Sequence, residues 1–282
     1  NKNDVNALKP LQEPQCLLHL RHKKSGDTLL HVCCRCGLDN VLSYFLEDLE
    51  ANLEVSNCDG RRPLHDAAQY SQGGCLRILL NHGAETNVLK RSDWTPLMLA
   101  CTKPLVSAID LLLGAGADPC LKNKDGWNSF HIASRDGTTD ILSRLVVANP
   151  TVWATTSNNL RTPLHTAALH GQSAAVSWML SECNFHPDCT DSCGVTPFMD
   201  AFRGGHLDIG KALLDTGKVV VGREDKAGRQ AVHHAAQAGQ RSAIQFLVKE
   251  LGVELNAQSS TERETPLHAA TKVGHMCCLA WR

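Results

Sequence analysis

An excess of either charge is missing from this chain. Its 28 lysines and arginines meet 29 aspartates and glutamates, for a formal net charge of −1 at pH 7. A protein that grips a nucleic-acid backbone is usually much more basic, so no direct nucleic-acid contact is expected. Long apolar runs are missing too. No stretch approaches the roughly 18 consecutive apolar residues of a membrane span. Asn1 is not an initiator methionine and no apolar signal segment follows it. We therefore expect a trimmed start, from which targeting is not read. No glycine-rich phosphate loop stands out either, because the glycines follow a longer period. What remains is a balance of 43% hydrophobic and 20% charged residues, that of a folded globular chain.

Cysteine is plentiful, with 13 residues. An odd total and the adjacent pairs Cys33–Cys34 and Cys277–Cys278 fit a disulfide ladder poorly. Cys33, Cys34 and Cys101 occupy positions that hold alanine elsewhere in the chain. A free thiol serves there as a small buried apolar group. This reading implies a reducing compartment, cytoplasm or nucleus.

The dominant feature is periodic. Thr-Pro-Leu-His, or a close relative, recurs eight times and ends at His31, His65, Met98, His131, His165, Met199, His233 and His268. The spacings are 34, 33, 33, 34, 34, 34 and 35 residues. Glycine follows a few residues later at Gly37, Gly137, Gly171, Gly205, Gly239 and Gly274. An apolar pair comes next, as in Leu79-Leu80 and Leu112-Leu113, and then Gly-Ala. In physical terms, Thr95-Pro96, Thr162-Pro163 and Thr265-Pro266 each open a helix: threonine caps the free amides and proline fits the first turn. Alanines at Ala67-Ala68, Ala167-Ala168 and Ala235-Ala236 let inner helices approach closely. The glycine supplies a left-handed residue at the helix end. A second helix and a sideways loop, such as Asn57-Cys58-Asp59-Gly60, complete the unit. One such unit cannot bury its own apolar face, so stability comes from neighbour on neighbour.

Eight such motifs in register resemble the ankyrin repeat family. The resemblance implies an all-α solenoid of about eight helix-turn-helix repeats with hairpin-like loops, a concave side, and protein binding as the function. Residues 1–26 lack the motif. There Val5, Leu8, Leu11, Leu17, Leu18 and Leu20 are expected to form a degenerate capping helix. Residues 27–282 form the array, with the eighth repeat truncated and its end expected to fray.

Each candidate site carries a structural alternative. Six histidines, His31, His65, His131, His165, His233 and His268, share one register. A catalytic triad needs one special geometry, so recurrence favours loop-fixing hydrogen bonds. Cys33-Cys34-x-Cys36 and Cys189-x3-Cys193 do not supply the paired ligand sets of structural zinc, and no metal or cofactor is expected. The loop tips are more informative. Arg61, Arg62, Lys90, Arg91, Trp94, Lys122, Lys124 and Trp127 gather basic and aromatic side chains on successive tips of a neutral chain. Tryptophan and arginine are favoured at protein interfaces. Asp66, Gln69, Tyr70, Thr102, Lys103, Arg135, Asp136, His170, Asp200 and Arg203 are expected to line the concave side, a mixture that suits a polar protein surface.

Within the family, three runs point to a closer likeness. They are Lys122 through Arg135, Asp93-Trp94-Thr95-Pro96-Leu97-Met98, and Cys193-Gly194-Val195-Thr196-Pro197. They resemble a member that binds the catalytic domain of alanyl-tRNA synthetase and captures misactivated serine on its own lysines. The likeness covers most of residues 25–275. The three family lysines fall at Arg91, Lys124 and Ala154, so Lys124 alone is a candidate acyl acceptor. Arginine stays protonated and alanine has no nucleophile. A generic ankyrin adaptor with another protein partner is the alternative. An enzyme is the least favoured reading, because every candidate side chain recurs at the structural period. A monomer without membrane association is expected.

Overall fold

The computed structural model describes residues 3–5 and 14–275. By contact the chain divides into two units. The first comprises Asn1–Ile132 with Asp140–Val152, and the second Ala133–Thr139 with Trp153–Arg282. Helix pairs build both. In chain order they are α1 (Leu29–Cys36), α2 (Asp39–Glu47), α3 (Pro63–Gln69), α4 (Gly73–Asn81), α5 (Pro96–Ala100), α6 (Val106–Gly114), α7 (Ser129–Asp136) and α8 (Thr139–Ala148). They continue with α9 (Pro163–Leu169), α10 (Ser173–Glu182), α11 (Pro197–Gly204), α12 (Leu207–Asp215), α13 (Ala231–Gln237), α14 (Arg241–Lys249) and α15 (Pro266–Lys272). The boundary between units passes through α7. Among the described residues there is no strand, only one isolated bridge between Lys90 and Trp94.

The helix starts follow the expected chemistry. Thr95 Oγ1 accepts the Met98 amide at 3.2 Å, and Thr196 Oγ1 that of Met199 at 3.3 Å. Where the motif carries histidine, the ring adds a second clamp. Thr28, Arg62, Thr162 and Gln230 donate their backbone N–H to Nδ1 of His31, His65, His165 and His233 at 3.1–3.2 Å. An accepting Nδ1 places the ring proton on Nε2. Nε2 then donates to a carbonyl of the next repeat: Arg61 at 2.8 Å, Trp94 at 3.2 Å, Val195 at 3.0 Å and Glu264 at 3.0 Å. Burial holds His65 down to about 3 and His165 to about 4. These rings are neutral structural links.

In the first unit, α1, α3 and α5 lie side by side and α2, α4 and α6 pack outside them. Cys33, Cys34, Ala67, Ala68, Ala100 and Cys101 keep the inner layer thin and are all buried. Burial pushes the Cys33 thiol up to about 12 and raises that of Cys34 as well, so both act as apolar packing groups. All cysteines of the described residues are free thiols, and Cys277 and Cys278 lie outside those residues.

In the second unit, α9, α11, α13 and α15 form the inner row and α10, α12 and α14 the outer one. One repeat here breaks the size rule. Phe202 stands where the other inner helices carry Cys34, Ala68, Cys101, Ser134, Ala168 and Ala236. The outer helix compensates, with Gly210 where its counterparts are Leu76, Ile109, Leu142, Val176 and Ile244. A Cβ on Gly210 would sit 2.6 Å from the Phe202 ring. Phe198 and Phe246 flank that ring at centroid distances of 4.6 and 5.9 Å.

The repeat glycines behave as expected. Gly37 has φ +68° and closes α1 with its N–H on the Cys33 carbonyl. A side chain there would also collide with Gln72, whose amide reaches back to the Arg35 carbonyl at 3.3 Å.

Of the expected N-terminal capping helix, only part lies among the described residues. The described part forms a short 3-10 turn, Pro14–His19, not an α-helix; Leu17 and Leu18 are half-buried and Leu20 is exposed. Asn3 contributes instead by accepting the Asn40 and Val41 amides at 3.1 and 3.3 Å, capping the first turn of α2 from a distance. Leu8 and Leu11 lie outside the described residues, as does Met276–Arg282 at the other end.

Candidate functional site

The loop tips are built on one device. In four tips an Asx side chain at the start receives two amides further along the tip, while Ser157 and Ser259 use a hydroxyl at the same position. Asn57 Oδ1 accepts Asp59 and Arg61 N–H at 2.9 and 3.0 Å, and Asn123 Oδ1 accepts Asp125 and Trp127 N–H at 2.9 Å each. In the second unit the same position holds Asp191 and Asp225. Successive tips are then laced together by backbone bonds. Cys58 N–H donates to Ser25, Arg91 to Asp59 and Lys124 to Ser92 at 2.8–3.1 Å in the first unit. Ser192 donates to Asn159, Lys226 to Cys193 and Ser260 to Gly228 at 2.8–3.2 Å in the second.

This lacing brings together most of the predicted tip residues of the first unit. Lys122 and Lys124 are exposed, and the Lys124 amide joins the tip that carries Arg91. Lys90 Nζ stands 5.6 Å from the Trp94 ring centroid, a cation–π contact, and the Trp127 ring stacks on His131 at 5.9 Å. The Lys90 amine is held below the ordinary lysine value, first by burial and then by the Arg61 cation, with Asp59 opposing. Sequence reasoning did not single out Lys90 for its basicity, because Arg61 is 29 residues away along the chain. The third tip is also strained. Ser92 and Asp93 adopt φ of 66° and 59° where most other tips place a glycine.

Three arginines expected to form the basic patch are engaged with carboxylates. Arg61 turns inward, with Nε and Nη2 on Asp66 at 3.0 and 2.6 Å and Nη2 on Gln69 as well. Arg62 spans Glu54 and Glu85. Arg91 reaches Asp59 at 3.2 Å while its side chain stays 76% exposed. Asp66 and Asp200, expected on the concave surface, are buried at 1% and 0% exposure. Each is drawn under an arginine, Arg61 in one case and Arg161 in the other. Ala154, the third family lysine position, is exposed in the second unit.

A metal reading can be tested on geometry. Asp27, His31 and Asp66 offer ligand atoms within 4.8 Å of one another, the one such group among the described residues. Both carboxylates are already neutralised, Asp27 by Arg35 at 2.8 Å and Asp66 by Arg61 and Arg35. Both ring nitrogens of His31 are occupied by Thr28 N–H and the Arg61 carbonyl. Every ligand atom of the group already has a protein partner, and the arrangement is that of an ion-pair network. A further cavity of about 320 Å³, lined by Leu18, Leu30, Phe45, Ala51 and Val55 among others, is mainly apolar. No helix among the described residues is long and apolar enough to cross a membrane.

Helix pairs with capping threonines, neutral histidine links and laced tips define a repeat scaffold that presents side chains to a protein partner. Consistent with this, the family model for ankyrin repeats (3 copies) matches residues 1–90, 50–122, 97–187 and 176–259. The chain belongs to the ankyrin repeat family. Among curated relatives, BCL-6 corepressor-like protein 1 of Homo sapiens is 31% identical over 130 residues, which is 46% of this chain and 7% of that protein. The E3 ubiquitin-protein ligase KEG of Arabidopsis thaliana is 26% identical over 271 residues, 90% of this chain and 16% of the relative. The chain thus spans less than about a fifth of the length of these relatives. The crystal structure of the human ASB11 ankyrin repeat domain superposes with a TM-score of 0.65 at 22% identity, covering 73% of this chain and 90% of that one. That likeness concerns the fold.

Proposed function

We propose that this ankyrin scaffold binds the catalytic domain of alanyl-tRNA synthetase through the tips of repeats two to four and takes misactivated serine onto a lysine. The reading rests on the likeness to ankyrin repeat domain-containing protein 16 carried by the Lys122–Arg135 run. The observation that supports it is the junction of two tips: the Lys124 amide meets the Ser92 carbonyl at 3.1 Å, so the family lysine positions 91 and 124 are neighbours. Attack on a seryl adenylate needs a neutral amine: the amine nitrogen bonds to the seryl carbonyl carbon, AMP leaves, and the amine gives up a proton. Only about 0.04% of an ordinary lysine is neutral at pH 7. Placement against an already activated adenylate compensates through proximity. Lys90, whose basicity is reduced, is the second acceptor to consider. Capture consumes the lysine, so the protein is a partner of the synthetase and not an enzyme in its own right. Cytoplasm and nucleus are the compartments this role requires.

The test combines the full chain, alanyl-tRNA synthetase, ATP and labelled serine, followed by peptide mapping. Label on Lys124 that is lost in Lys124→Arg supports capture. Label that moves to Lys90, or appears only there, shifts the acceptor by one tip. Binding without label retains docking and rejects capture. Absence of binding overturns the proposal and leaves an adaptor with a different protein partner, the reading favoured by the variety of relatives that carry this array.

A further inference from the structure

The second unit holds a polar cavity of about 460 Å³ that the reading above does not use. It lies between the tips of repeats five to seven and the inner helices α11 and α13. Arg161, Arg203, Arg229, His234, Asn159 and Gln237 supply most of its polar wall. The charges are layered. Asp200 and Asp225 lie beneath, with side chains 0% and 1% exposed, and Asp191, 6% exposed, is itself part of the wall. Asp191 turns Oδ1 to the Cys193 and Val195 amides and Oδ2 to Arg161. Asp225 turns Oδ1 to its own tip and Oδ2 to Arg229 and His234. Both Asp191 oxygens are thus taken up by its turn amides and Arg161, both Asp225 oxygens by its own tip, Arg229 and His234, and Arg161 and Arg229 line the cavity. Arg203 completes the wall from the end of α11. It is exposed, and among the described residues no carboxylate lies within ion-pair distance of it.

We infer that this cavity is a docking site for an acidic peptide segment, with one glutamate or aspartate side chain received by Arg203 against the Arg229 face. Two observations carry the assignment. Arg161 and Arg229 are fixed by buried partners, so they form a rigid donor surface that needs no ordering on binding. Arg203 is the guanidinium of the wall without an ion-pair partner, and a fork of N–H donors matches a carboxylate bidentately. One such cation suits a monoanion better than a dianionic phosphate. The volume suits a side chain with its adjoining backbone. Docking here is independent of the first-unit tips and of any serine capture.

The experiment uses the full chain and fluorescein-labelled hexaglutamate, read by fluorescence anisotropy at low salt. Hexaglutamate is expected to bind, to weaken as salt rises, and to lose about tenfold or more in affinity in Arg203→Glu. Arg241→Glu makes the same charge change in the same unit, away from the cavity, and is expected to shift affinity less than about twofold. In a 15N-labelled sample the Arg203 and Arg229 Nε–Hε signals move on titration. Equal loss in both variants, or none in Arg203→Glu while its melting curve is unchanged, overturns the site. Displacement of hexaglutamate by phosphoserine at a tenth of the concentration needed for free glutamate overturns the choice of a carboxylate.

Discussion

Two tips of the first unit are tied by asparagine side chains and two of the second by carboxylates. Asn57 and Asn123 hold their turns as neutral acceptors. Asp191 and Asp225 hold equivalent turns and bring a buried negative charge with them. That charge has to be met, and Arg161 and Arg229 meet it from positions that line the cavity, with His234 hydrogen-bonded to Asp225 beside them. The inner layers differ as well. Small side chains fill it in the first unit, while the second admits Phe202 by removing the side chain of Gly210. The repeat tolerates both solutions because each neighbour interface needs only the right total volume.

The packing difference predicts the largest effect. Phe202→Ala should cost about 3–5 kcal/mol, because a buried aromatic is lost and a cavity remains. Gly210→Leu alone should also destabilise the second unit, since the new side chain meets the Phe202 ring. Combining them restores the arrangement of the other repeats and should recover part of both losses. Urea unfolding of the three variants gives the cycle, and strict additivity would break the claim of compensation. Asp225→Ala should follow at about 3 kcal/mol, from a lost turn, an uncovered Arg229 guanidinium and a lost His234 hydrogen bond. Asp225→Asn keeps the turn acceptor and should cost less. Equal losses in the two would show that charge, and not turn geometry, dominates there.

Helix starts, left-handed glycines and the role of the histidines were legible because each depends on neighbours within a few residues. Thr95-Pro96, Gly37 and His65 carry their own instructions. The destination of Arg61 was not legible. Its adjacency to Arg62 reads as a solvated basic tip, yet Asp66 lies one helical turn into α3 and draws it inward. Of the expected capping helix, the described residues Leu17 and Leu18 fall in a 3-10 turn, and Leu8 and Leu11 lie outside the described residues. Arg203 comes from the sixth repeat and Arg229 and His234 from the seventh, and only the stacking of α11 against α13 brings Arg203 to the other two. The Phe202–Gly210 exchange was readable in principle by aligning the repeats on one another, since each residue breaks its own column.

Acid should strike both units through the same residue type. His65 in the first unit and His165 in the second are buried, with values near 3 and 4 against 6.5 in an unfolded chain. Between those values the unfolded state binds the proton and the folded state does not. Stability is therefore complete above about pH 6.5 and declines as the pH falls toward 4. Each ring should account for about 2 kcal/mol of loss at pH 5. Urea midpoints at pH 7 and pH 5 test this. Asp225 adds its own loss at lower pH: burial opposes its ionisation, but bonds from His234 and the Arg229 amide outweigh that and hold it well below the usual carboxylate range. A midpoint unchanged between pH 7 and pH 5 would break the neutral-link assignment for both units at once.

The smallest effect concerns the tips themselves. Most tips reverse direction through a glycine, as at Gly60, Gly126, Gly194 and Gly228, but Leu160 does so at φ 57° with its side chain 53% exposed. A leucine in that region is strained, and little burial compensates it. Leu160→Gly should raise stability by about 1 kcal/mol, the relief of a left-handed side-chain residue less the greater freedom of glycine when unfolded. Gly194→Ala should move the other way, because φ is +80° and the added Cβ would stand 3.0 Å from the Lys226 amide nitrogen that laces the next tip. The two substitutions lie in adjacent tips of one unit, so opposite shifts in midpoint isolate backbone geometry from composition. A loss in Leu160→Gly would mean that the leucine side chain contributes more to its tip than its exposure indicates.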